Sequence, residues 1–132
     1  MISKQLCLET MQGKLFEKSA LLGYDSDTFI KCFMRSDLTS CLDKEYSRYQ
    51  CVDEDYWLEE LKDEYGKRLK KSVSVWDSEA MFWIGWLYRY WHYEFSKSSK
   101  EILSLAPPKR MISMYLPYHT LDPNDAIERL QN

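Results

Sequence analysis

From Phe82 to Phe95 the chain carries eight aromatic residues in fourteen, and they do not fall on one side of a helix. At about 100° per residue, Ala80, Ile84, Leu87, Tyr88, Trp91 and Phe95 share one helical face. Phe82, Trp86, Arg89 and Tyr93 fall on the opposite one. A helix that is apolar on both sides cannot lie on the surface of a small domain with one side in water. It either runs through the middle of the fold or offers its second face to a partner.

The rest of the chain supplies helices to surround it. The spacing predicts a first helix from about Lys4 to Leu22, with Leu6, Leu8, Met11, Leu15 and Leu22 among its apolar positions. Gly23 is placed as its C-terminal cap, and Gly13 inside it reads as a mild weakness. Asp25 and the acidic residue Asp27 start a helix through Phe29, Ile30, Phe33 and Met34. Ser36-Asp37 starts a short one carrying Leu38, Cys41 and Leu42. Asp53 opens a helix with Tyr56, Trp57, Leu58, Leu61 and Tyr65, which Gly66 stops. Asp77 caps the aromatic helix. Ser98 and Glu101 form a capping box for a short helix ending at Ala106. Pro108 sets the first turn of the next, and Asp122-Pro123 starts a last one through Ala126, Ile127 and Leu130. Strand and hairpin signals do not recur. The expected fold is all-α, one domain over residues 1–132, a bundle of seven to eight helices around a central aromatic-rich helix.

A net charge of −3 argues against a chain built mainly to coat nucleic acid. The four cysteines, Cys7, Cys32, Cys41 and Cys51, form no CxxC pair and lie near no histidine at metal-ligand spacing. The N-terminal stretch lacks the pattern of a secretory signal, and Arg89, His92 and Glu94 interrupt the longest apolar run. The expectation is a cytoplasmic protein with reduced thiols, no membrane span and no cofactor or metal.

Candidate binding residues follow from the second face of the aromatic helix. Trp, Tyr and Arg dominate the energetics of protein interfaces, so Phe82, Trp86, Arg89, Tyr90 and Tyr93 form the first candidate set. The competing reading is that neighbouring helices cover this face and Arg89 pairs internally. The acidic helix around Tyr56 and Trp57 is the second candidate, with Glu59 and Glu60 suited to steering a basic partner. Solvated charge over a Leu58/Leu61/Tyr65 stripe is the plainer reading of that helix. The basic run Lys67, Arg68, Lys70, Lys71 has Lys109-Arg110 as a distant companion, and nucleic-acid binding would need the fold to unite them around a recognition helix. His92, Tyr118 and His119 are the residues on which an enzyme would be built. No Ser/Cys-His-acid grouping or phosphate-cradling glycine loop accompanies them.

Several phrases resemble a family of small bacterial proteins. They include Gly23-Tyr24-Asp25-Ser26 with Phe29-Ile30, the block Glu79 to His92, Ser98-Ser99-Lys100-Glu101-Ile102, and His119-Thr120-Leu121-Asp122-Pro123 with Ala126-Ile127. The resemblance spans most of the chain, with the aromatic block and the 119–123 phrase its most specific parts. Members of that family look like companions of ADP-ribosyltransferase-like toxin-type proteins. The resemblance therefore implies an antitoxin or accessory role and carries over no individual site residue. The expected function is a protein-binding module that neutralises a small enzyme by occlusion. Alternatives are a DNA-binding autoregulator of the same system, an enzyme, or a surface that pairs with a second copy of the chain.

Overall fold

The computed structural model describes residues 3–44 and 53–132, and these form eight α-helices and one 3-10 turn. The helices are α1 (Lys4–Leu21), α2 (Ser26–Arg35), α3 (Asp37–Leu42), α4 (Glu54–Tyr65), α5 (Ser78–Phe95), α6 (Ser99–Leu105), α7 (Pro108–Tyr118) and α8 (Pro123–Leu130). The all-α expectation holds. The only strand-like feature among the described residues is an isolated bridge between Tyr24 and Lys71.

Six anticipated caps are in place. The side chains of Asp25, Ser36, Asp53, Asp77, Ser98 and Asp122 each accept a backbone N–H in the first turn of their helix. Ser98 and Glu101 complete the capping box. At the end of α1, Gly23 takes φ +84°, its N–H donates to Ala20 O, and the N–H of Tyr24 reaches Ser19 O. This paired closure needs a left-handed residue, which glycine adopts without a Cβ penalty.

The aromatic helix α5 is central. It packs antiparallel on α1, the most extensive helix pair among the described residues, and also meets α6, α7 and α8. Two glycines set the distance. A Cβ on Gly85 would lie 2.6 Å from the backbone oxygen of Gln12 and 2.7 Å from the Phe16 ring. A Cβ on Gly13 would lie 2.9 Å from the Phe82 ring. Gly13 is thus a close-approach residue, and its helix-propensity cost of about 1 kcal/mol purchases packing. The face of α5 anticipated as core is buried at Ala80, Ile84, Leu87, Tyr88 and Trp91, and half-buried at Phe95. Phe16, Phe29 and Phe33 pack on one another edge-on and stacked at centroid distances of 5.2–6.4 Å, and Phe16 meets Tyr88 of α5 edge-on at 6.4 Å.

The segment after α4 is laced to the start of α2. Asp25 N–H donates to Lys70 O (2.9 Å), Ser26 N–H to Ser74 O (3.1 Å), and Ser72 N–H to Gly23 O (3.1 Å). The Ser72 hydroxyl donates to Asp25 Oδ1 and Trp76 N–H to Ser26 Oγ, each at 2.9 Å. These bonds hold residues 70–76 rigidly over the N-terminus of α2 without a sheet. No helix among the described residues is long and apolar enough to cross a membrane. Cys7, Cys32 and Cys41 are free thiols, and Cys51 lies outside the described residues.

Candidate interface on the aromatic helix

Phe82, Trp83, Trp86, Tyr90 and Tyr93 are all half-buried, and they run as one stripe along α5. Measured round the helix from Trp86, each lies within about 60°. Trp86 and Tyr90 stack with centroids 5.1 Å apart and planes inclined by 17°. The Tyr90 hydroxyl donates to Asn124 Oδ1 at 3.0 Å, which ties the stripe to α8. On the α7 flank Trp83 meets Tyr115 edge-on at 5.7 Å, and Tyr115 stacks on His119 at 4.3 Å. On the other flank the Phe82 ring lies against Gly13 of α1.

Carboxylate charges act on these rings. Burial raises the pKa of Tyr90, and so do the charges of Glu94, Asp122 and Glu9. Tyr115 is raised by burial and then by Glu79 and Asp77. Glu9, only 7% exposed, has its carboxyl pushed up to about 7, first by burial and then by Glu94, with Arg89 opposing. The exposed carboxylates Glu94 and Asp122 thus act on Tyr90 at the edge of the stripe, while Glu9 lies buried beneath it.

Arg89 does not belong to it. It lies about 60° round from Trp86 on the side that α1 covers, and its side chain is fully buried. Its Nε donates to Gln12 Oε1 (2.9 Å), one terminal nitrogen to Asp43 Oδ1 (2.8 Å), and the other reaches Ser99 Oγ (3.5 Å). Asp43 also accepts from the Ser99 N–H and hydroxyl, both at 2.8 Å. Gln12 spends its amide on Gly85 O at 3.0 Å. The guanidinium is 5.9 Å from the Tyr93 ring, a contact made inside the fold. Arg89 joins α1, α5, α6 and the end of α3, and as an exposed anchor it is withdrawn.

Glu59 and Glu60 are also separate from the stripe. Their helix α4 packs chiefly on α1, α3 and α2. Glu59 pairs with Lys62 at 3.4 Å, and Glu60 lines a small cleft of about 320 Å³ with Asp37, Cys41, Asp63 and Glu64. In that cleft the Glu64 carboxylate accepts the Asp37 N–H at 3.0 Å.

No family model, no curated protein and no solved structure matches this chain.

The two histidines are apart in role. The Nδ1 of His92 is 2.6 Å from Lys97 O, and a carbonyl can only accept, so Nδ1 carries the proton. His119 lies exposed at the end of α7, with Nδ1 2.7 Å from Tyr115 O. Among the described residues no cluster of His, Cys, Asp and Glu is arranged to hold a metal ion. The basic run and its distant companion have different neighbours. Arg110 is committed to the carbonyls of Leu130 and Arg129, both at 3.1 Å, whereas Lys67, Arg68 and Lys70 face Lys31 and Arg35 across a cleft.

Proposed function

We propose that this chain is a protein-binding module, and that it docks a basic surface of its partner onto the α5 stripe. The observation that carries the reading is the stacked, half-exposed Trp86–Tyr90 pair with the exposed carboxylates Glu94 and Asp122 acting on Tyr90. Rings of this kind supply large contact area at low entropic cost. Here they are already ordered, by each other and by the Tyr90–Asn124 bond. This arrangement suits Lys or Arg side chains, which can stack on the rings and pair with Glu94 or Asp122. The family resemblance supplies the class of partner, an ADP-ribosyltransferase-like toxin-type protein, and the role, an antitoxin-like neutraliser that occludes it.

The test is co-expression with such a partner, pull-down and a toxicity assay, using Trp86→Ala and Tyr90→Ala. Loss of a hot-spot ring costs about 2 kcal/mol or more, so affinity should fall by roughly thirtyfold or more and toxicity should return. Circular dichroism should retain the helical signal. Unchanged affinity would remove the stripe from the interface, and a collapse of helicity would reassign it to the core.

A further inference from the structure

The cleft between α2 and the end of α4 has a volume of about 720 Å³, and its walls carry Lys31, Arg35, Tyr65, Lys67, Arg68 and Lys70. Five cations face one carboxylate there, Asp27, in a chain whose net charge is −3. Asp27 pairs with Lys31 at 2.9 Å. Arg35, Lys67, Arg68 and Lys70 make no ion pair among the described residues. Two carboxylates close to the cleft also serve the backbone. Glu64 holds the Asp37 N–H, and Asp25 caps α2 while accepting from Ser72. Like charges gathered around a concavity repel one another and focus a positive potential, which a bound polyanion relieves.

We infer that this cleft binds a phosphate-bearing small molecule of nucleotide size. Its volume lies within the range of about 300–1,000 Å³ usual for small-ligand sites. Arg35 and Arg68 present planar forks that match phosphate oxygens, with Lys67 and Lys70 as point charges beside them. The site is built rather than incidental. Arg68 lies 6.0 Å from the Tyr65 ring centroid, and Lys70 is held by the bond from Asp25 N–H to its carbonyl. The Tyr65 hydroxyl, pushed up to about 12 by burial and by Glu64, keeps its proton at neutral pH and can donate. A second cleft of about 450 Å³ shares Lys31 and Arg35 and adds Lys100 and Ser104, leaving room for a ligand longer than one phosphate group. Duplex DNA fits less well. Groove reading needs a helix that protrudes, and these cations line a recess.

The experiment is calorimetric titration of the full chain, at low salt, with ADP, pyrophosphate and a duplex of about 20 base pairs. ADP or pyrophosphate should bind with a dissociation constant in the micromolar range, and Arg35→Ala and Arg68→Ala should each weaken it by about tenfold or more. Both side chains are exposed, so both variants should melt like the parent. Absence of binding by both small phosphates at about 1 mM would overturn the proposal. So would duplex binding that ADP does not displace, or binding indifferent to both arginine variants.

Discussion

The Arg89–Asp43 pair makes a quantitative prediction because its two ends differ in access to water. The Arg89 side chain is 0% exposed and that of Asp43 is 15% exposed. Removing one member of a buried pair costs about 3–5 kcal/mol, mostly because the other charge is left without compensation. Asp43→Ala leaves a guanidinium enclosed without its paired carboxylate, beside Gln12, Ser99 and the Tyr93 ring, and strips Ser99 of two bonds as well. It should cost about 4 kcal/mol, a large part of the 5–15 kcal/mol that holds a typical domain folded. Arg89→Met keeps the volume, and it leaves a carboxylate that retains both Ser99 bonds and can draw in water. Its cost should be nearer 2 kcal/mol. The double variant should be less destabilised than the sum of the two, since each single change leaves an orphan that the other removes. Urea unfolding followed by tryptophan fluorescence measures all three, as a midpoint change at constant m. If Arg89→Met proves the more damaging, or if the two effects simply add, this account of a desolvated pair is wrong. Stability equal to wild type in Arg89→Met, with partner affinity lost, would return Arg89 to the interface.

Gly85→Ala should destabilise by about 2 kcal/mol, because its Cβ meets the backbone of α1, which no side-chain rotation can move aside. Gly13→Ala meets the end of a half-exposed Phe82 ring that can swing away, and its gain in helix propensity of up to about 1 kcal/mol should leave it near neutral; thermal melts of the two variants test the order. Glu9 should make stability pH-dependent. Its folded pKa is about 7 against 4.5 for an ordinary glutamate, so the folded state holds a proton that the unfolded chain releases, and stability falls as pH rises from about 4.5 to 7. Glu9→Gln should therefore be neutral below pH 4.5 and increasingly more stable than wild type toward pH 7, as read from urea midpoints across that window.

Local signals carried most of the architecture. Each helix start depends on one capping residue and its next three neighbours, so Asp25, Ser36, Asp53, Asp77, Ser98 and Asp122 could be read without knowing the tertiary fold. The two-sided aromatic pattern likewise placed α5 at the centre. Long-range polar partners were not readable. Asp43 sits between a short helix and a polar stretch, 46 positions from Arg89, with nothing local to mark it. Arg89 shares its helical angle with residues on both the covered and the open side, so a wheel could not say on which side of the seam α1 would lie. The signal was Gly85. A glycine midway along an aromatic helix announces close approach of another backbone, and the covered side is the one on which it lies. Lys31 and Arg35 carry no local mark of a site, since each stands as a single cation four residues from the other on α2. They become a site only when the bonds between residues 70–76 and the start of α2 bring Lys67, Arg68 and Lys70 opposite them.

Covering one side of α5 and leaving a stripe on the other have the same cause. Gly13 and Gly85 let α1 come so near that it covers one flank, with Gln12 and the Arg89 fork paired in the seam. The opposite flank is closed by α7 and α8 through rings rather than aliphatic side chains, at Trp83–Tyr115 and Tyr90–Asn124. Between the two flanks stand Trp86 and Tyr90, too large to retract and too well stacked to spread. A ring left merely at the edge of a core would gain nothing from a surrounding of carboxylates, because burial beside charge is costly. Glu9, Glu94 and Asp122 are tolerated around Tyr90 at that cost, and Glu9 shows it in the upward displacement of its own titration. A cationic side chain laid over the stripe would recover the cost in part, by pairing with the exposed Glu94 and adding positive potential at the buried Glu9, while stacking on rings that need no further ordering. That recovery gives a second reading of the same interface. Partner affinity should weaken as pH falls and Glu9 takes up its proton, and Glu9→Gln should bind less tightly than wild type at pH 8 even though it folds more stably. A Gln variant that is both more stable and tighter binding would show that these carboxylates repel the partner.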